Sequence, residues 1–293
     1  ITSGAGAISG GVSLLSTVLV DTNGNNVELA GSIGNRAATG NSREGLSGGL
    51  TKMGLGVLTL SAANTFTGNT TVIDGSILLK HSDALAYSGI NYTNVMSAAS
   101  VVFDSSVASR TFTIGGLFGT SYAMALADNA GNPITLRVGN GGQNSTYGAA
   151  FSGAGSLVKL GSGTLNLNAV AQTYTGSTTI IAGAPGTTAG SPSKVSTLQL
   201  TFSTSVATNI LSSGTALIFG GASAPQVGTQ LTSGQLADVG NGSGRLLITA
   251  AAATISARPV WAPTAATASD AALYFAAMGS AGPDSFYGKV QEP

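Results

Sequence analysis

Residues 49–79 read GLTKMGLGVLTLSAANTFTGNTTVIDGSILL, and this stretch decides the fold. Leu58, Leu60, Val72, Ile73, Ile77, Leu78 and Leu79 fall in short apolar runs, broken by Gly54, Gly56, Gly68 and Gly75. No segment carries a helical period, so the pattern predicts strands of a few residues separated by tight turns. Within it, Leu58 and Leu60 alternate with Val57 and Thr59, which predicts that the leucines point inward. Val57 is the awkward member, an apolar side chain on the outward face.

A second copy lies at Gly155–Gly183, GSLVKLGSGTLNLNAVAQTYTGSTTIIAG. Leu50, Lys52, Gly54, Gly56, Leu58 and Leu60 recur as Leu157, Lys159, Gly161, Gly163, Leu165 and Leu167, 107 positions on (157 − 50). Phe66-Thr67-Gly68 recurs as Tyr174-Thr175-Gly176 after one inserted residue, and Thr71, Val72, Ile73 and Gly75 as Thr179, Ile180, Ile181 and Gly183. Repetition of this kind marks units that bury their apolar faces against their neighbours.

The series K-x-G-x-G-x-L-x-L, then [FY]-T-G-x-T-T and a glycine, resembles the autotransporter-associated β-strand repeat of bacterial passenger proteins. The resemblance implies an all-β, right-handed parallel β-helix, exported and displayed at the bacterial surface or beyond it. It covers the two motif copies, is specific for architecture and says little about activity.

Composition narrows the function classes. Of 293 residues 43 are glycine and 8% are charged, against roughly 25% in ordinary soluble proteins. Net charge is zero and the 11 basic residues form no run, which argues against a nucleic-acid partner. Low charge also leaves little repulsion between copies, so a homo-oligomer or filament is expected. Cysteine is absent, which excludes disulfides and thiolate metal sites. No run of 18 apolar residues is present, so no spanning helix is expected. The chain starts at Ile1, as a processed form or fragment would.

Along the chain, Asp21-Thr22-Asn23-Gly24-Asn25-Asn26 faintly resembles a calcium loop, but Asn26 and Ser32 stand where Gly and Glu are required, and a turn is the better reading. Residues 81–94 read as a loop leaving the rungs, and 182–193, with Pro185 and Pro192, as the strongest loop. Strands are expected near 101–103, 110–114, 123–126, 134–138, 198–202, 216–219 and 245–249. Residues 1–258 are assigned to the β-helix. From Pro259 the texture changes, and 259–293 is expected to form a cap or intersubunit arm, with Trp261, Leu273, Tyr274, Phe275 and Met278 as its assembly residues.

No catalytic, metal or cofactor residues are assigned. Gly45-Leu46-Ser47-Gly48-Gly49 fits G-x-S-x-G formally, but a strand rather than a helix is expected after it. His81 is the single histidine, and no D-x-D pair marks a polysaccharide-cleaving site. Asp74 and Asp104 are the carboxylates that rung stacking could bring together. Phe66 and Tyr174 occupy one repeat position, either stacking on sugars or covering the core. The expected function is a non-enzymatic extracellular structural module. Alternatives are an adhesin binding a surface glycan through 81–94 and 182–193, and, third, a carbohydrate-active enzyme.

Overall fold

The computed structural model describes residues 6–36, 47–92, 100–120, 122–168, 170–181, 196–202, 210–211, 215, 217–220 and 244–250. Every regular element among them is a strand. The longest sheet stacks nine strands in the order Val18–Asp21, Leu50–Met53, Thr70–Val72, Leu85–Asn91, Thr111–Phe118, Thr135–Val138, Ser156–Lys159, Thr178–Ile181 and Leu217–Gly220. All their pairings are parallel and follow chain order. Parallel neighbours need a long return path, and here the return is made by further strands. Gly6–Ile8, Val27–Leu29, Val57–Leu60, Ser76–Leu79 and Ser100–Phe103 form a second parallel face. A third face builds later from Ser145–Tyr147, Gly163–Asn168, Ser196–Phe202 and Gly244–Ala250. The protein is thus a parallel β-helix solenoid. Leu50 pairs with Thr70 and Thr70 with Ile90, a rung of 20 residues (70 − 50 and 90 − 70).

Alternation fills the interior. Leu58, Leu60, Leu165 and Leu167 are fully buried, as their spacing predicts, and Val57 is half-buried. Leu58 lies in register between Val27 and Ile77, and Leu165 between Ser145 and Leu198. One core runs from Leu14 to Ile210. Each fully buried leucine contributes about 1.5–3 kcal/mol of transfer free energy.

The turns follow from their residues. Thr22–Asn25 closes with Asn25 N–H donating to Thr22 O at 2.8 Å, and Asn23 and Gly24 both take positive φ, 45° and 80°. Asp21 Oδ1 accepts from Asn23 N at 2.8 Å. This is a tight turn of the primed kind, which demands Asn-Gly, and it occupies the segment that faintly resembled a calcium loop.

The loop expected over 81–94 needs correction at 85–91. Leu85–Asn91 is a strand in the middle of the nine-stranded face, between Thr70–Val72 and Thr111–Phe118. The register shifts between Leu85 and Gly89, and Leu85, Ala86, Ser88, Gly89 and Ile90 are all buried while Tyr87 is exposed. A bulge breaks the two-residue period that would have marked the strand. Residues 182–193 and 259–293, with Trp261, Leu273, Tyr274, Phe275 and Met278, lie outside the described residues.

Candidate functional site

The candidates that the sequence singles out among the described residues each have a definite structural setting. Phe66 and Tyr174 are buried, and Tyr174 packs edge-on against Phe151 at 6.1 Å between centroids. They cover the core and are not a sugar platform. Asp74 lies just before Ser76–Leu79, and Asp104 just after Ser100–Phe103. Ser76 pairs with Ser100 and Leu79 with Phe103, so the two carboxylates sit at opposite ends of one strand pair. Asp104 Oδ1 accepts from Ser106 N, and Asp74 Oδ1 from Gly75 N. Ser47 precedes the strand Leu50–Met53 and accepts a hydrogen bond from Thr67 Oγ1 at 3.1 Å. His81 Nδ1 accepts from Asp83 N at 3.0 Å. Among the described residues no three His, Cys, Asp or Glu side chains cluster as a metal site would require.

Two lysines escape a reading of charge as surface. Lys52 and Lys159 are fully buried, because the two-residue alternation puts them on the inward face with Leu50 and Leu157. Lys52 Nζ donates to Met53 O at 3.0 Å, Gly54 O at 2.5 Å and Asp74 O at 3.1 Å. Lys159 Nζ donates to Leu160 O at 2.6 Å, Gly161 O at 3.1 Å and Ser196 Oγ at 3.4 Å. Burial lowers both ammonium groups below the ordinary lysine range. Lys159 falls to about 8, whereas Asp74 and Asp21 partly offset the burial of Lys52. A buried amide also recurs. Asn64 accepts from Ile33 N and donates to Ala84 O, both at 2.8 Å, joining three rungs. At the matching position Gln172 accepts from Phe151 N at 2.7 Å and donates to Ala149 O at 3.3 Å.

One open cleft of about 370 Å³ lies on the outer surface, lined in part by Asp83, Tyr87, Thr113, Arg137 and Asn140. Tyr87 is 43% exposed. Arg137 stands in register with Thr113 on one side and Val158 on the other. The signal that could have found this cleft is an aromatic at the outward position of 85–91, which the bulge concealed.

Comparison with known proteins agrees with the repeat. Residues 50–79 and 157–184 match the passenger-associated-transport-repeat. The chain is 35% identical over 140 residues to a protein described as adhesin BmaC autotransporter, from Brucella suis biovar 1 (strain 1330). That alignment takes in 47% of this chain and 4% of the relative's length. No solved structure matches the chain. In the nine-stranded face, Leu50–Met53 and Ser156–Lys159 open the two matched segments, with four strands between them. The chain therefore carries two copies of the passenger-associated-transport-repeat, built into a parallel β-helix, and is similar over part of its length to an autotransporter adhesin, which points to a place at the bacterial cell surface or outside the cell.

Proposed function

We propose that this chain is a non-enzymatic stalk module of an adhesin-like surface passenger. The observation that carries the reading is the nine-stranded parallel ladder with its unbroken core. Each rung hydrogen-bonds the next along the axis, so load applied along the solenoid is shared over successive backbone ladders. The likeness to a protein described as an adhesin supports a role in presenting binding surface away from the cell. Stretching the purified chain by force spectroscopy tests this. A stalk gives stepwise rupture at high force with contour increments of whole rungs, whereas a single low-force event counts against it. Polysaccharide cleavage or esterase turnover abolished by Ser47→Ala or His81→Ala would overturn the non-enzymatic reading.

A second reading has a specific observation in its favour. Tyr87, exposed on the solenoid wall beside the cleft, supports direct contact between this chain and a surface glycan. Self-assembly is a further element of the proposal. Zero net charge and the apolar residues of 259–293 support subunits joining end to end. Removing 259–293 and imaging the product tests the arm. Filaments lost with the fold retained support it, and a chain that is monomeric before and after removal overturns it.

A further inference from the structure

We propose that the cleft beside Tyr87 is a binding site for an acidic saccharide, a chain of pyranose rings bearing carboxylates. This inference rests on the second reading above and names the place and the ligand chemistry.

The cleft exists because glycines follow Tyr87 in the next two rungs. A Cβ on Gly115 would lie 2.5 Å from Tyr87 C and O, and one on Gly141 would lie 3.1 Å from Tyr87 O. Gly141 N in turn donates to Gly115 O at 3.2 Å, which continues the stack. Backbones approach closely along this column, so no side chain rises beside the tyrosine. The ring stands alone at the edge of a shallow floor and offers a flat apolar face to the C–H side of a sugar ring.

The polar groups around that floor are free to bind. Among the described residues Arg137 takes part in no ion pair and its guanidinium makes no hydrogen bond. A planar fork of five donors matches a carboxylate in two-point geometry. The Asp83 carboxylate receives one long bond, from Ser82 Oγ at 3.3 Å, which leaves acceptor capacity for hydroxyl donors. Asn140 adds an amide that can both donate and accept. Asn64, by contrast, has both amide atoms engaged between rungs and serves as wall.

Together these supply one aromatic face, one unpaired cation and two hydroxyl-binding groups in about 370 Å³. Tyr87 is the sole large apolar side chain on the cleft, which suits a sugar better than a peptide needing an anchoring pocket. A single arginine on the cleft of a chain with no net charge selects one carboxylate per site and does not gather polyanions indiscriminately.

The test uses the whole chain. Tetragalacturonate and neutral cellotetraose are titrated by calorimetry, alongside an array carrying uronic- and sialic-acid glycans. Variants are Arg137→Gln, Tyr87→Ala and the surface control Lys80→Gln, with melting temperature confirming the fold of each. The expected result is binding of an acidic saccharide, weakened about tenfold or more by Arg137→Gln, since a charged hydrogen-bonding partner is lost. Tyr87→Ala weakens binding as strongly, and Lys80→Gln leaves it unchanged. If glycans bind but neither Tyr87→Ala nor Arg137→Gln alters the affinity, the cleft is the wrong place and glycan contact stands. If no saccharide binds to the wild-type chain, both the site and the glycan reading fall, and the stalk role is untouched.

Discussion

Lys52 and Lys159, 107 positions apart, hold their ammonium groups against equivalent carbonyls. Each donates to the carbonyls of the next two residues, Met53 and Gly54 in one copy, Leu160 and Gly161 in the other. Gly54 and Gly161 are both left-handed, with φ of 79° and 68°. The corner turns carbonyls toward the core, and the lysine satisfies them from within. An inward lysine is thus the donor that lets the chain turn sharply without stranding buried acceptors.

The first prediction concerns pH. Lys159 falls to about 8 in the folded chain against an ordinary value of 10.5. Below pH 8 it is protonated in both states, and the full cost of its burial is present. Between pH 8 and 10.5 the unfolded chain binds more protons, so stability rises with pH. Burial pushes Tyr174 up to about 12 from 10.0, and that works in the opposite sense. Above pH 10 the unfolded chain loses phenolic protons that the folded chain keeps, and stability falls. A stability maximum near pH 10 is expected, with a gain of about 2 kcal/mol between pH 7.5 and 9.5. Urea midpoints at those two pH values measure it. Lys159→Met flattens the rise, and an unchanged slope in that variant would show that the proton resides elsewhere.

Glycine substitutions separate strain from collision. At Gly131 φ is 82° and nothing lies within 4 Å of an added Cβ, so Gly131→Ala meets only the left-handed backbone, about 1–2 kcal/mol. At Gly161 the same Cβ would lie 2.2 Å from Gly139 O, a backbone atom of the adjacent rung. Gly161→Ala is expected to cost clearly more than Gly131→Ala in denaturant unfolding. Equal losses would mean the rungs separate freely at this corner.

Neighbouring positions on one strand test which way side chains face. Leu165 is fully buried and Thr164 is half-buried on the opposite face. Leu165→Asp places an unpaired carboxylate in the core and is expected to cost several kcal/mol or prevent folding. Thr164→Asp is expected to stay within about 0.5 kcal/mol. Similar melting temperatures for the two variants would contradict the inward register.

Sequence made the solenoid legible where two copies could be laid together, because the alternation of Leu58 and Leu60 survives in Leu165 and Leu167. It failed at 85–91 for a physical reason. The bulge shifts the register, and burial on both faces erases the two-residue rhythm. Lys52 and Lys159 were hidden differently. Their spacing from Leu50 and Leu157 marks them as inward, but charge suggests surface, and only the turn carbonyls explain the exception. The Tyr87 cleft was out of reach because Gly115 and Gly141 meet Tyr87 only once the rungs are stacked.

The inter-rung amide can be tested alone. Asn64→Ala leaves the buried Ile33 N–H and Ala84 C=O without the partners they now have. A loss of about 2–3 kcal/mol is expected, since buried groups left unpaired carry their full desolvation cost. Hydrogen exchange at Ile33 reads the local effect, and it should accelerate in Asn64→Ala while the amide of Leu165 stays protected. Unchanged exchange at Ile33 would show that the clamp is not needed.

The last prediction concerns the first strand of the long ladder. Among the described residues Val18–Asp21 is its outermost member, paired on one side with Leu50–Met53. Leu15, Val18 and Leu19 are exposed there, Leu19 at 57%. An edge strand carrying apolar side chains invites a further strand, and natural sheets usually guard such edges with charge. Here the guard is weak, since Leu19 occupies an outward position that lysine would commonly fill, and the chain as a whole carries no net charge. If the proposed self-assembly uses this end, the wild-type chain associates as concentration rises, and Leu19→Lys shifts it toward the monomer without lowering the melting temperature. Sedimentation velocity over a hundredfold concentration range follows the shift. A wild-type chain that stays monomeric throughout, or a Leu19→Lys chain that associates equally well, removes this edge from the assembly.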